Sequence, residues 1–467
     1  MFMERSWLRL GGLVLIGALH GTSPTGLAAQ TQLAASAEAA APARAPAKPK
    51  ASAGRESPLA KAVLEHFAAW DADANGKLSA AEVEKEVLNP ANQGDAAAAL
   101  AALHGRFWKA EADARKPLDR AFFDSMALKR LVPAAKPVKS ASGEDTEGEQ
   151  AAGAVGVDDD KDSEKDLDKR FGRSRQSIKG AVRTLFDADG PNLPDCKQGM
   201  IGNCFILAPL GAYVHRDVEA IKHMIEPLAG ERTGWYRVRF ASGDVVELPP
   251  FTDAELGLSG ASMRSGMWVR VLEKAFGTRK LKPEDREDRV ARDEIGKGGS
   301  GASTVRLLTG HQTIAIKQIG DWTRPIDGQP LNSAQGAGRA SEAVGPPEPA
   351  AKPATAAEFE KILSQLRKQL PIAFDAKRLV VAGTPANKVP ISISPRHAYA
   401  VLGFDPATDR ITLWNPHAST FVPKGEEGFK FGYKRDKGLM TLPLVEFARI
   451  FRGVSIETDR PLIAKVK

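Results

Sequence analysis

Phe205-Ile206-Leu207-Ala208 opens an apolar run that continues to Ala212-Tyr213-Val214, and Gly199 and Gly202 stand just ahead of it. Glycines permit a tight, close-approaching backbone, and a sustained apolar run has to be buried. Together they predict a loop feeding a buried helix, with Cys204 at the junction. A cysteine at a helix N-terminus feels the positive end of the macrodipole, which lowers the thiol pKa and favours the nucleophilic thiolate. Gln198, upstream in the same loop, can aim its side-chain amide at a developing oxyanion. A buried, inert cysteine suits the same stretch, since that is the usual state of this residue type. The rest of the chain has to discriminate between the two.

A thiolate nucleophile needs a base and a group that orients the base. His397 sits where the polar turn of SPRH runs into the apolar AYAVLGF, and Asn415 ends the segment ITLWN. Asp405-Pro406-Ala407-Thr408-Asp409 between them is turn-rich, so the two segments read as an antiparallel pair able to set His397 beside Asn415. Of the other histidines, His20 lies in the leader, His66 precedes an acidic loop, and His104 and His223 fall on helical patterns as surface or core residues.

In order along the chain, QGMIGNCF, HAYAV and NP resemble the protease core of the calpain family of papain-like cysteine proteases. Three further segments are similar in the same order: MWVRVLEKAF from Met267, GGSGASTVRLLTG from Gly298, and GLMTLPLVEFARIF from Gly438. The resemblance covers residues 171–457. It implies Cys204 as nucleophile, His397 as general base and acid, Asn415 as orienter of the imidazole and Gln198 as oxyanion donor. Two positions depart from the family: Phe205 and His417 stand where it usually has tryptophan, the second being the residue that covers the His–Asn pair. The implied architecture is α+β, a two-lobed papain-like core. Its helical Cys lobe spans about 171–295 and its β-rich His/Asn lobe about 296–457, with a tail over 458–467.

The 467 residues exceed one ordinary domain, and 42% hydrophobic content is enough for a sizeable core. Net charge is +7, from 65 basic against 58 acidic residues mixed along the chain. No basic patch interleaved with aromatics argues for nucleic acid. Arg5 and Arg9 precede the apolar run Leu10 to Leu19, and small residues follow through Ala29, the three parts of a signal peptide over 1–29. That run is too short to span a bilayer. The protein is therefore expected to be secreted or periplasmic, with no membrane span after cleavage. In that compartment only two cysteines, Cys196 and Cys204, exclude a disulfide framework. A bond between them would block the nucleophile, so Cys204 is expected free. Residues 30–57, almost all Ala, Pro, Lys and Ser, read as a disordered linker.

Leu59, Val63, Leu64, Phe67 and Trp70 have the spacing of an amphipathic helix. The next stretch, Asp71 to Glu82, matches the twelve-residue EF-hand loop position by position. Asp71, Asp73 and Asn75 offer side-chain oxygens, Lys77 its carbonyl, Ser79 a water bridge and Glu82 a bidentate carboxylate for Ca2+, while Gly76 supplies the sharp turn. A partner loop over Glu111 to Asp119 has Lys116 where glycine is needed and Phe122 where the bidentate Glu belongs, so it keeps the scaffold and loses the ion. Leu78 and Leu118 are expected to pair as short facing strands. Residues 58–132 thus read as an all-α EF-hand pair. Residues 133–170, ending in the acidic run from Val157 to Lys169, read as a solvated, disordered linker.

These readings converge on a calpain-like cysteine endopeptidase, calcium-dependent, acting on protein substrates. Two other classes stay open: an amidase or transferase of the same Cys-His type, and an inactive papain-like protein serving as a calcium-binding scaffold.

Overall fold

Residues 57–108, 116–129, 159–199, 201–259, 266–317, 356–386 and 389–462 are described by the computed structural model. The signal peptide, most of the Ala/Pro/Lys linker and the Gly/Pro-rich interruption after about residue 320 lie outside the described residues. So do residues 109–115 of the second loop.

Ser57, placed in the linker by its composition, instead caps the first helix, accepting the Ala60 N–H on its hydroxyl at 3.3 Å. Helix α1 (Pro58–Trp70) buries Leu59, Val63, Phe67 and Trp70, the predicted stripe. Strand β1 (Lys77–Leu78) leads into α2 (Ala80–Val87), which Ser79 and Glu82 close with a reciprocal capping box. There follow α3 (Gly94–Trp108), β2 (Leu118–Asp119) and α4 (Arg120–Lys129). Leu78 pairs with Leu118 across β1 and β2.

The linker expected over 133–170 is not disordered from Asp159 onward. Helix α5 (Asp159–Gly180) crosses the expected 170/171 boundary and buries Leu167, Phe171 and Ile178. Those positions recur at helical spacing, which charge density concealed, and acidic residues at a helix N-terminus complement its dipole. Asp168 accepts the Ser57 hydroxyl at 3.0 Å, and Arg175 pairs with Asp95.

Next come α6 (Cys204–Arg216), α7 (Val218–Met224) and the antiparallel strands β3 (Ile225–Pro227), β4 (Tyr236–Arg239) and β5 (Val245–Leu248). Helices α8 (Asp253–Leu258), α9 (Trp268–Lys280), α10 (Ala291–Gly296) and α11 (Gly301–Thr309) complete a mainly helical part. One hydrophobic cluster runs from Phe67, Leu100 and Phe171 through to Ile206, Leu207 and Leu272. The N-terminal helices are therefore packed into the same core as α6, and Thr252 Oγ1 donates to Val87 O at 2.7 Å across the join.

The remaining elements are β6 (His311–Lys317), α12 (Ala356–Asp375), β7 (Val380–Gly383), β8 (Ala398–Asp405), β9 (Arg410–Trp414), β10 (Leu439–Pro443), α13 (Leu444–Ile450) and β11 (Gly453–Pro461). Their six strands form one sheet in the order β10-β9-β8-β7-β11-β6. Strand β11 enters the segment expected to be tail. Side chains alternate across the sheet: Val381 and Ala400 join the core with α6, while Val380, Tyr399 and Val401 face α12 and α13. The molecule is α+β, and the helical part meets one face of the sheet. No helix among the described residues is long and apolar enough to cross a membrane.

Candidate active site

Cys204 is the first residue of α6, and the cap residue before it, Asn203, is committed elsewhere. Its side-chain Nδ2 donates to Glu273 Oε1 at 2.5 Å, so no side chain caps the helix. The backbone N–H groups of Cys204 and Phe205 face the sulfur instead, joined by the N–H of Ala398. Burial raises the Cys204 thiol above its ordinary range, and these three donors pull against that rise. Ala398 directly follows His397, so this contact brings the nucleophile candidate to the base candidate. Both cysteines are free, with Cys196 fully buried.

The approach of α6 to the sheet depends on a glycine. A Cβ on Gly211 would lie 2.8 Å from the Trp414 ring, and Trp414 immediately precedes Asn415. Gly438, at φ +93°, likewise lets the backbone close over this corner, and its carbonyl accepts the Asn415 N–H at 2.9 Å. Strands β8 and β9 pair antiparallel, so the residues before one and after the other meet.

His397 Nε2 lies 2.8 Å from Asn415 Oδ1. Asn415 Nδ2 donates to Tyr399 Oη at 3.1 Å, which fixes the amide with its oxygen toward the imidazole. The oxygen can only accept, so Nε2 carries the proton and Nδ1 keeps a lone pair. His417 N–H also donates to Asn415 Oδ1, at 2.9 Å. The His417 ring stacks on His397 with centroids 4.2 Å apart, and its Nδ1 lies 3.3 Å from Ser394 Oγ.

 A histidine thus occupies the covering position over the His–Asn pair.

Thr384, just after β7, pins the backbone of His397: its Oγ1 accepts the His397 N–H at 2.9 Å, and its own N–H donates to His397 O at 2.9 Å. Arg396 before it adopts φ +47°, a left-handed conformation that a non-glycine residue holds only where its surroundings impose it. Gln198 is tied in twice. Its N–H donates to Pro416 O at 2.8 Å, and its side-chain Nε2 donates to Ile201 O at 2.6 Å. One Nε2 hydrogen is therefore used within the loop, and Oε1 is buried without a hydrogen-bond partner.

The structure thus brings Cys204, His397, Asn415 and Gln198 to one corner. It adds Thr384, Ser394, Tyr399, Glu273 and Arg435, which the sequence reading passed over. Tyr399 had a signal, since it lies two residues from His397 and shares its side of the chain. Arg435 had none. Its buried guanidinium is held by Ser392 O and by Ser419, at 3.0 Å to the carbonyl and 2.8 Å to the hydroxyl.

Burial holds the His397 imidazole down to about 3, with the His417 and Arg435 charges acting the same way against the Asn415 hydrogen bond. Both shifts favour the uncharged forms of the thiol and the imidazole.

The scan of protein-family models matches no family, and the search of curated proteins matches none either.

The acid response follows from two buried groups. From its ordinary 6.5 down to about 3, the unfolded chain takes up a proton that folded His397 refuses, so His397 makes stability fall as pH falls. Burial raises Glu273 from 4.5 to about 6, so in that window the folded protein binds the extra proton and stability rises as pH falls. The two oppose each other there. Below it the His397 slope stands without that opposition, at up to about 1.4 kcal/mol per pH unit. The melting temperature is expected to drop steeply below about pH 4.5 and less steeply in His397→Gln, as scanning calorimetry across that range would read. An unchanged slope in the variant would assign the acid sensitivity to other groups.

Proposed function

We propose that this chain is a cysteine endopeptidase of the calpain-like, papain-related type, hydrolysing peptide bonds through Cys204, His397 and Asn415, with calcium as its activator. The observation that carries the reading is the contact of Cys204 with the Ala398 N–H while His397 is held by Asn415 at 2.8 Å. A nucleophile, a base with a free lone pair and an orienter of that base then share one corner.

In this mechanism His397 Nδ1 takes the Cys204 proton, and the thiolate sulfur attacks the substrate carbonyl carbon. Oxyanion charge is held by the Cys204 N–H and the second Nε2 hydrogen of Gln198, worth roughly 3–4 kcal/mol per donor at comparable sites. The tetrahedral species collapses as His397 gives its proton to the leaving amine, leaving a thioester on Cys204. Water, deprotonated by His397, then releases the acid and restores the thiol.

The residues of the first loop suit Ca2+. One oxygen each from Asp71, Asp73 and Glu82 lie within 4.8 Å of one another, and Gly76 has φ +77°. Asp71, Asp73, Asn75, Lys77, Ser79 and Glu82 are the residues that would hold the ion, and it would supply positive charge that draws these oxygens together. From that loop α2 leads to Glu84, whose Oε1 accepts Arg289 Nε at 3.1 Å and the Val290 N–H at 2.9 Å, at the start of α10. The far end of α10 reaches the cysteine loop, where a Cβ on Gly202 would lie 3.2 Å from Gly296 O. This contiguous path is the physical support for calcium control of Cys204.

The test is hydrolysis of an unfolded protein by the purified chain, wild type beside Cys204→Ala and Glu82→Gln, with millimolar calcium and with chelator. Cleavage is expected only in wild type with calcium, absent in Cys204→Ala and weak in Glu82→Gln. Cleavage that persists in Cys204→Ala would sink the assignment of the nucleophile. Equal rates in calcium and chelator would sink the activator.

A further inference from the structure

A second cluster of metal-ligating side chains uses none of the calcium-loop or cysteine-corner residues, and its composition differs from either. Glu84 on α2, His104 on α3 and Asp293 on α10 each offer one ligand atom, and the three atoms lie within 4.8 Å of one another. His104 and Asp293 are buried, at 4% and 6% exposure, and Glu84 is half-buried. We propose that Glu84, His104 and Asp293 bind a divalent transition-metal ion of the zinc type, which staples the N-terminal helices to α10.

Several observations lead there. His104 Nε2 is 3.1 Å from Asp293 Oδ2, yet the other atom of each group, His104 Nδ1 and Asp293 Oδ1, is buried with no hydrogen-bond partner. A pair evolved only as a hydrogen bond would leave a donor or acceptor unmet on both sides, and buried polar groups are rarely left so. Glu84 is anchored through one oxygen: both its bonds, from Arg289 and Val290, fall on Oε1. Its Oε2 is left among the described residues, and the two bonds hold the carboxylate against α10.

The donor set decides the class of ion. An imidazole with two carboxylates suits zinc and its neighbours in the first transition row, whereas calcium and magnesium prefer oxygen alone. Two carboxylates also neutralise a doubly charged cation. The opposing charges are Arg289 on Glu84 and the buried Arg292, which is drawn to Asp293 and Glu273. The fourth position of a tetrahedral ion would fall to water on the half-exposed Glu84 side. A cation here would join three elements that the fold brings together from distant parts of the sequence. The site needs none of Cys204, His397, Asn415 or Gln198.

Cobalt(II) is the probe, because its visible absorption strengthens in tetrahedral sites that include nitrogen and stays faint in all-oxygen, six-coordinate ones. The full chain, stripped of metal, is titrated with Co2+ and then with Zn2+ in competition. An intense band saturating at one equivalent is expected, displaced by Zn2+, lost in His104→Gln and kept in the calcium-loop variant Glu82→Gln. No band beyond that of free Co2+, or a band unchanged in folded His104→Gln, would overturn the site and leave the cluster as an ion pair only. Should His104→Gln fail to fold, Glu84→Gln serves, because the amide oxygen still accepts from Arg289 and Val290. It should weaken Co2+ by at least the roughly 10–100-fold that loss of even an outer-sphere partner costs. Unchanged affinity in Glu84→Gln would overturn the proposal equally.

Discussion

Hydrolysis of an unfolded protein is expected to fall by roughly 10⁴-fold or more in His397→Ala, in the turnover number rather than in the Michaelis constant. Burial raises the Cys204 thiol and the three backbone donors only moderate the rise, so the proposed attack needs an acceptor for the sulfur proton. In the proposed mechanism His397 Nδ1 accepts the sulfur proton and returns it to the leaving amine. Both chemical steps fail together. Asn415→Ala should cost less, because it leaves the base in place and removes the 2.8 Å contact that selects its tautomer. Thr384 still pins the His397 backbone from both sides in that variant. The check is a comparison of turnover in wild type, His397→Ala and Asn415→Ala, with imidazole added to the alanine variant of the base. Partial rescue by imidazole is expected. Full activity in His397→Ala would show that another group is the base.

Gly277→Ala is expected to destabilise the fold by about 3 kcal/mol or more, at the upper end of overpacking effects. A Cβ at this position would lie 1.9 Å from the carbonyl oxygen of Ala291, at the first residue of α10. Backbone cannot rotate aside as a side chain can, so α9 and α10 must separate. Separation would also disturb Glu294 and Gly298, whose carbonyls accept from Lys280 Nζ, and Gly296, which abuts Gly202 ahead of the cysteine. A lower melting temperature and weaker activity should therefore appear together. Gly172→Ala is the control, since its added Cβ meets nothing within 4 Å in helix α5 and removes the entropic cost of a helical glycine. Calorimetry of both variants reads the difference. A Gly277→Ala protein as stable as wild type would mean that the two helices can part freely.

Local pattern carried much of this protein. The helical spacing of Leu59, Val63, Phe67 and Trp70, the pairing of Leu78 with Leu118, the apolar run after Cys204 and the turn between β8 and β9 were all legible, because each depends on neighbours within a few residues. The antiparallel turn alone sufficed to put His397 next to Asn415.

Other features depend on contacts that no window of sequence contains. Helix α5 was hidden because its three buried apolar residues are sparse among charges, and their partners lie on α3 and α8. Part of the environment of the imidazole was hidden too: the Arg435 charge, held on Ser392 and Ser419 beyond the His–Asn hairpin, acts on it through space. What the sequence by itself determined is local placement: Cys204 at the start of an apolar helix, His397 and Asn415 at the facing ends of two paired strands, and the acidic loop after Trp70. What only the tertiary structure decided is their charge state and company, because burial and through-space charge act over distances that bear no relation to separation along the chain.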